Sequence, residues 1–144
     1  MEIMKVASTP PILATPETSV LHALSIMSEK NIGAIVIADP AQKLLGIFTE
    51  RDNMLRVSLK GRDPKITTLA EVMTSPVDSI APDVTPINAL EHMLTHNYRH
   101  LPIVDKDNRV LAVVSLRHLL TRRMREQQHN IDVLVAYLEA GGPG

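Results

Sequence analysis

The sequence predicts an α+β fold made of two copies of one β-α-β-β-α unit. When residues 16–55 are shifted by 66 positions onto residues 82–121, nine of the 40 pairs are identical and no gap is needed. Composition alone would give roughly two or three identities over that length. Because one small sheet cannot cover both of its faces alone, we expect the two copies to pack together around a pseudo-twofold axis.

Helix signals recur at equivalent positions in the two units. In the first unit, Ser19 precedes apolar residues at helical spacing and is a predicted N-cap. In the second unit, Thr85 takes that position and Pro86 the first helical position, where proline is well tolerated. We expect both helices to end near an asparagine, Asn31 in one unit and Asn97 in the other.

Each of these helices is followed by two apolar runs of strand length with a polar turn between them, which predicts a hairpin. The runs are Ala34–Ala38 and Leu44–Phe48 in the first unit, and Leu101–Val104 and Val110–Val114 in the second. A helix is predicted after each hairpin, over 50–60 and 116–125. The short apolar run 12–14 predicts the first strand of the first unit.

The chain thus divides into a lead-in (1–11), a first unit (12–62), a connector (63–77), a second unit (78–125) and a tail (126–144). The lead-in carries little periodicity, and we expect it to be extended. The connector is predicted to contain a short helix after Thr68. In the tail, a C-terminal helix is predicted with an apolar stripe that either the chain's own core or a second subunit would cover, formed by Ile131, Leu134, Val135 and Leu138.

Composition excludes several classes of protein. The 144 residues are 44% hydrophobic and 22% charged with a net charge of −1, which favours a globular domain and argues against a general nucleic-acid binder. The absence of cysteine excludes disulfides, thiol catalysis and thiolate metal sites. No apolar run of membrane-spanning length and no signal-peptide pattern is present, so we expect a cytoplasmic protein without a membrane partner.

Three motifs carry a resemblance to a known family. They are Gly46-Ile47-Phe48-Thr49-Glu50-Arg51-Asp52, Arg99-His100-Leu101-Pro102-Ile103-Val104-Asp105 and Glu71-Val72-Met73-Thr74-Ser75-Pro76. Together with the repeat, they resemble the CBS domain, the module named after cystathionine β-synthase, and the pair resembles a Bateman module over about residues 12–125. Small stand-alone two-CBS proteins, the regulatory inserts of IMP dehydrogenase and the nucleotide-sensing subunit of AMP-activated kinase are similar.

The resemblance implies a regulatory protein that is not an enzyme and that forms a homodimer. It would bind AMP, ADP, ATP or NAD (S-adenosylmethionine in some members) between the units and act on an unidentified regulated protein. By the family pattern, Asp52 holds the ribose hydroxyls, Thr49 lies near phosphate, and Arg99 and His100 of the facing unit bind phosphate. The expected ligand-binding residues are Ile47, Thr49, Arg51, Asp52, Ser79, Ile80, Arg99, His100, Pro102 and Arg117.

Elementary chemistry agrees with these roles. A carboxylate accepts hydrogen bonds from both hydroxyls of a ribose. Thr49 precedes a predicted helix, whose free N–H groups and dipole attract anions. Arginine suits phosphate because its fork of donors matches the oxygens.

The second copy departs from this pattern. His118 replaces the ribose-binding aspartate, and Gly33 and Ala34 stand where the opposing basic pair would be. A cleft built from these residues with Ser115 lacks the acceptor and most of the charge. We therefore expect one nucleotide site and one degenerate site.

Simpler interpretations stay open for the same residues. Thr49 and Asp52 fit a helix cap with its first-turn carboxylate, and Arg99 and His100 fit a solvated strand entry. If those interpretations hold, the protein is a ligand-free interaction module.

Other functions have weaker support in the sequence. His92 and His96 have a spacing that can serve a metal, but no third ligand is evident, which favours a surface pair. The basic run 122–125 favours a solvated helix end over RNA binding. Asp52 and His118 could serve as an acid and a base only if adjacent, and the pseudo-symmetry places them in opposite clefts.

Overall fold

The computed structural model describes residues 2–127, 138 and 140. A short 3₁₀ helix (Ile3–Lys5) comes first. The first unit contains β1 (Leu13–Ala14), α1 (Val20–Lys30), β2 (Ala34–Ala38), β3 (Leu44–Thr49), α2 (Glu50–Asp52) and a π-helix (Asn53–Ser58). The connector carries α3 (Leu69–Val72), and the second unit contains α4 (Pro86–His96), β4 (His100–Val104), β5 (Val110–Ser115) and α5 (Leu116–Glu126). The predicted α+β class and the hairpin in each unit are confirmed.

The two units differ in their sheets. In the first unit β1 pairs in parallel with β2, and β2 pairs antiparallel with β3. In the second unit β4 and β5 form an antiparallel pair, and the equivalent of β1 is a single parallel bridge between Ile80 and Ile103. The Ile80 N–H donates to the Pro102 carbonyl (3.0 Å). The predicted β-α-β-β-α unit therefore keeps its first strand in one copy and has one bridging residue there in the other.

Local signals place the ends of α1 and α4 as predicted. Ser19 and Thr85 are the N-caps, and each side-chain oxygen accepts from the backbone N–H three residues on, at 3.1 and 3.2 Å. Asn31 and Asn97 end these helices in the left-handed conformation, with φ of 54° and 58°. Asparagine tolerates this conformation better than most residues.

A pseudo-twofold axis relates the units where their hairpin turns meet. The Leu44 N–H donates to the Asn108 carbonyl (3.0 Å), and the Val110 N–H donates to the Gln42 carbonyl (2.9 Å). A shift of 66 positions turns each bond into the other, as a twofold axis requires. Apolar side chains of both units form a shared core at this junction, including Ala34, Val36, Ile47 and Val110.

The expectation of an extended lead-in is wrong. Ile3 is fully buried in the core of the second unit, together with Ala89 and Met93. Further along, Ser8 pairs with Val113 of β5 through two backbone hydrogen bonds of 2.8 and 3.3 Å. The first residues of the chain are therefore part of the second unit's fold.

The connector forms part of the first unit's fold. Leu69 and Val72 are buried in the core of the first unit, and Thr74 pairs with Ile47 of β3. Residues 3–10 and 69–76 are equivalent under the shift of 66, and we call them the lead segments. Both Thr9-Pro10 and Ser75-Pro76 peptide bonds are cis. Each lead segment thus precedes one unit in the chain and packs on the other.

The predicted helix over 50–60 is present over residues 50–58, with a change of hydrogen-bond pattern after Asp52. It begins as α2 and continues as the π-helix, in which the Leu59 N–H donates to the Met54 carbonyl five residues back (3.0 Å). The short connector helix is confirmed: Thr68 caps α3, with the Glu71 carboxylate accepting from the Thr68 N–H at 2.7 Å.

The predicted stripe on the C-terminal helix falls largely outside the described residues. Ile131, Leu134 and Val135 are not among them, while Leu138 is helical and 45% exposed. In the described part of the chain, no helix has the length and apolar character needed to cross a membrane.

Candidate functional site

The start of α2 is held by Thr49 and Asp52, which cap it reciprocally. The Thr49 Oγ1 accepts from the Asp52 N–H (3.1 Å), and the Asp52 Oδ2 accepts from the Thr49 N–H (3.0 Å). This capping box satisfies donors that a helix start otherwise leaves unpaired. The structure therefore contains the helix cap that the sequence offered as the simpler interpretation.

The second oxygen of Asp52 also has partners. Its Oδ1 accepts from the Thr74 hydroxyl (3.0 Å) and lies 3.7 Å from the Arg56 Nε. Asp52 is only 7% exposed. Both carboxylate oxygens thus bind the chain itself, and a ribose would have to share or replace these donors.

The lead segment 69–76 crosses β3 at Gly46. A Cβ on Gly46 would lie 2.5 Å from the Met73 Sδ and 3.0 Å from the Thr74 carbonyl oxygen, so any larger residue there would have to displace Met73. In the second unit Ala112 takes the place of Gly46, and Ala7, with its smaller side chain, takes the place of Met73. Packing therefore accounts for this difference between the copies.

His100 lies where the two units meet. It pairs with Ser115 across the β4–β5 hairpin. Its Cε1 is 3.6 Å from the point where a Cβ on Gly33 would lie, and the Glu50 carboxyl is 3.7 Å from the same point. The His100 imidazole therefore lies close to Gly33 and Glu50 of the first unit.

Burial lowers the pKa of His100, and the neighbouring charges of Arg99 and His118 lower it further. Desolvation disfavours the imidazolium, and like charges add to that cost. Because its pKa lies below 6.5, the His100 imidazole is mostly neutral near pH 7.

The start of α5 is equivalent to the start of α2 under the shift of 66, but the residues around it carry a different charge. Ser115 caps it, because its Oγ accepts from the His118 N–H (3.1 Å), and the Leu116 N–H donates to the Arg99 carbonyl (2.8 Å). The first turn of α5 contains no acidic residue. Arg99, Arg117 and His118 are all exposed there.

The structure divides the expected binding residues into two groups. Ile47 and Asp52 contact Thr74 of the connector, and Thr49 is bound to Asp52 by the capping box. Ile80, which follows Ser79 in the chain, pairs with β4, where its N–H donates to the Pro102 carbonyl. Arg51 projects its exposed side chain from α2.

The structure shows where the expected phosphate-binding residues lie relative to the two helix starts. In the described part of the chain, Arg99 and His100 form no hydrogen bond or ion pair with Thr49 or Asp52. His100 lies near Glu50, the first residue of α2, and the Arg99 carbonyl accepts from the Leu116 N–H at the start of α5. Ala34, expected to face the second unit's helix start, is the register partner of Thr49.

Sequence reasoning missed three contributors to this region: Thr74, Arg56 and Glu50. Extending the repeat alignment to 3–10 and 69–76 would have paired Ser8 with Thr74 and drawn attention to that hydroxyl. Arg56 lies four residues after Asp52, a spacing that favours ion pairs on a helix. Nothing in the sequence indicates that Glu50 lies near His100.

One ring nitrogen of His92 and one of His96 lie within hydrogen-bonding distance of other residues of the chain. The His92 Nε2 is 2.7 Å from the Asp78 Oδ2, and the His96 Nδ1 is 2.9 Å from the His92 carbonyl oxygen. The His96 ring stacks on Tyr98 with centroids 5.3 Å apart. Within the described ranges, no group of three or more potential metal ligands is present.

Two surface clefts lie away from these residues. One, of about 240 Å³, is at the end of the first hairpin, lined by Leu13, Ala14, Thr15, Ala38, Asp39, Pro40 and Gln42. The other, of about 20 Å³, lies between α4 and α5 and is lined mainly by apolar side chains. Neither cleft is lined by Asp52 or His100.

Comparison with known proteins identifies the class of protein. The family model of the CBS domain matches residues 3–52 and again residues 69–125. The chain therefore belongs to the CBS domain family and carries two CBS repeats. Both matches begin at equivalent positions, Ile3 and Leu69, which agrees with the lead segments being part of the repeat.

Curated relatives agree. The CBS domain-containing protein YhcV of Bacillus subtilis is 34% identical over 78% of this chain and 79% of that protein. The mitochondrial CBSX3 of Arabidopsis thaliana is 29% identical over 88% of this chain, which spans 63% of CBSX3. A match to inosine-5'-monophosphate dehydrogenase of Methanocaldococcus jannaschii, 34% identical over 81% of this chain, covers 22% of that enzyme.

Solved structures share the fold. A protein with CBS domains from Burkholderia ambifaria superposes with a TM-score of 0.78 at 28% identity, covering 88% of this chain and 96% of that one. The CBS domain pair of protein MJ0100, in complex with 5-methylthioadenosine and S-adenosyl-L-methionine, gives a TM-score of 0.77 at 26% identity, covering 88% and 98%. The arrangement of two repeats is thus that of a CBS pair.

Proposed function

We propose that the protein is a regulatory sensor that binds an adenosine-containing ligand, AMP, ADP, ATP or NAD, where its two CBS repeats meet. The observation that carries this is the similarity over nearly the whole chain to the MJ0100 CBS pair, whose structure contains two adenosine compounds. In this proposal the protein is a cytoplasmic homodimer without catalytic activity. It signals through its dimer surface to a regulated protein.

Contacts at the junction support this function. His100 lies close to Gly33 of the other repeat, so a ligand bound beside His100 would be near both repeats. Such a ligand favours the relative orientation that it binds best. It shifts an equilibrium only between states that bind it differently.

The test is calorimetric titration of the purified protein with adenosine, AMP, ADP, ATP, NAD and S-adenosylmethionine, after mass spectrometry of the denatured protein for a co-purified nucleotide. We expect at least one adenosine compound to bind. Arg99→Gln should weaken binding of the phosphorylated compounds, while Arg62→Gln, which changes an exposed arginine at the end of the first unit, should leave it unchanged. If no adenosine compound binds, the proposal is wrong.

A ligand-free interaction module is the second candidate, and one observation favours it. Asp52 is buried and its carboxylate oxygens already bind Thr49, Thr74 and Arg56. This candidate predicts that Asp52→Asn alters stability equally with and without nucleotide. The sensor predicts an additional loss of nucleotide affinity in the same variant.

A further inference from the structure

Four side chains gather beside the C-terminal half of α4 in the second repeat. The His92 Nε2 lies 2.7 Å from the Asp78 Oδ2, and the His96 Nδ1 lies 2.9 Å from the His92 carbonyl oxygen. The two imidazole rings have centroids 4.3 Å apart, and the Tyr98 ring stacks on His96 at 5.3 Å. We call Asp78, His92, His96 and Tyr98 the imidazole cluster.

The first repeat has mainly apolar side chains at the equivalent positions. The shift of 66 aligns three members of the cluster with isoleucines that pack against the core of the first unit, and these are Ile12, Ile26 and Ile32. His96 aligns with Lys30. Because isoleucine fills these positions in one copy of the fold, packing does not account for a carboxylate, an imidazole and a phenol in the other copy.

The hydrogen bonds of the cluster leave one nitrogen of each ring with a free lone pair. A carbonyl oxygen and an ionised carboxylate only accept hydrogen bonds. In its neutral form, His96 therefore carries its proton on Nδ1, and neutral His92 carries its proton on Nε2. The lone pairs are then on the His96 Nε2 and the His92 Nδ1, and neither atom has a hydrogen-bond partner among the described residues.

Histidines that bind metal ions in proteins have the same arrangement. The ring nitrogen that does not bind the metal donates to a carboxylate or a backbone carbonyl, which fixes the tautomer and the orientation of the ring. Two imidazoles bound at a right angle to one ion, with metal–nitrogen bonds of about 2.0–2.1 Å, have centroids about 4.5 Å apart. The observed 4.3 Å is close to this value. The cluster thus combines the ring spacing and the supporting hydrogen bonds of a two-histidine metal site.

The cluster is also accessible from the solvent. The side chains of His92 and Asp78 are 32% and 38% exposed, and His96 is exposed. The negative charge of Asp78 favours a cation nearby. A metal ion can therefore reach both rings from solution, and water would complete its coordination.

We propose that His92 and His96 bind a divalent transition-metal ion through the His92 Nδ1 and the His96 Nε2. Asp78 and the His92 carbonyl oxygen orient the two rings, and Tyr98 supports the His96 ring by stacking. Nitrogen ligands at a right angle favour Cu²⁺ and Ni²⁺, and Cu²⁺ binds more tightly than Zn²⁺ in the general order of affinity. Mg²⁺, which takes oxygen ligands, should not bind.

The fluorescence of Tyr98 measures binding directly. The chain has no tryptophan and two tyrosines, so in the full chain with Tyr137→Phe the fluorescence comes from Tyr98 alone. Titration with Cu²⁺, a paramagnetic ion, should quench this fluorescence with saturation at one ion per chain. Calorimetry should show tighter binding of Cu²⁺ than of Zn²⁺ and no binding of Mg²⁺.

The variants separate ligands from supporting residues. His92→Ile and His96→Lys introduce the residues that the first repeat has at these positions, so the fold should persist, which circular dichroism checks. Asp78→Asn should lower the Cu²⁺ affinity by about 10–100-fold, because it weakens the hydrogen bond that orients a ligand. Either histidine variant should lower the affinity further, since it removes a ligand.

His22→Gln is the matched control, since it removes an exposed histidine from α1 of the first repeat. It should leave Cu²⁺ affinity unchanged. The proposal is wrong if Cu²⁺ does not quench Tyr98, if the histidine variants bind Cu²⁺ as tightly as the parent, or if Mg²⁺ binds as well as Cu²⁺. Because the site does not involve the proposed nucleotide ligand, each of these results would leave the sensor proposal intact.

Discussion

The starts of α2 and α5 are equivalent in sequence position and opposite in character. Asp52 is 7% exposed and binds its own helix start and the lead segment, whereas His118 is exposed and contributes only its backbone N–H to Ser115. In the first repeat, the buried carboxylate of Asp52 caps the start of α2. In the second repeat, the start of α5 has the exposed basic residue Arg117 in its first turn. A duplicated fold can thus keep its backbone and change the chemistry at one position.

The largest expected effects test whether both repeats depend on their lead segments. Ile3→Ala and Leu69→Ala should each lower the free energy of unfolding by about 2–5 kcal/mol, because both side chains are fully buried. Urea denaturation measures this, with the exposed Glu2→Ala as control. A loss below about 0.5 kcal/mol for Ile3→Ala would mean that the first residues are peripheral.

The next effect tests the contrast between the two helix starts directly. Asp52→Ala should cost about 2–3 kcal/mol, since it removes the capping box and leaves the Thr74 hydroxyl without its acceptor. His118→Ala should change stability by less than about 0.5 kcal/mol. Thermal and urea denaturation of both variants measure the two costs, and equal losses would contradict the asymmetry.

A packing difference between the repeats gives a third test. Gly46→Ala should cost about 1–3 kcal/mol because its Cβ would meet Met73 and the Thr74 carbonyl. The same change should cost less in a Met73→Ala background, which a double-mutant cycle measures. Additive costs would show that the Met73 contact is unimportant.

The smallest effect concerns pH. The folded pKa of His100 lies below its ordinary value of 6.5, so the unfolded chain binds more protons between the two values. The stability that depends on neutral His100 is therefore fully present above pH 6.5 and falls as the pH drops from that value through the folded pKa. His100→Gln should flatten this part of the stability profile, and an unchanged slope would show that other groups cause it.

The sequence predicted those features that depend on local signals. Ser19, Thr85, Asn31 and Asn97 mark helix ends because capping and left-handed conformations are properties of a few adjacent residues. The hairpins followed from apolar runs and polar turns in the same way. The repeat itself supplied the twofold relation between the units.

Long-range packing could not be predicted in this way. The apolar residue Ile3 signals burial, but nothing in its neighbourhood says that its partners are Ala89 and Met93 of the second unit. Likewise, a threonine and an aspartate three residues apart suit a helix cap and a ribose equally well. Only the contacts of Asp52 with Thr49 and Thr74 reveal that its oxygens are already paired.

The exchange of lead segments has a consequence for biosynthesis. Ala89, against which Ile3 packs, leaves the ribosome 86 residues after Ile3 (89 − 3). At typical rates of translation, that interval is on the order of 10 s. Throughout it the first residues have no completed surface to bind, so the chain can reach its native core only after most of both repeats has been made.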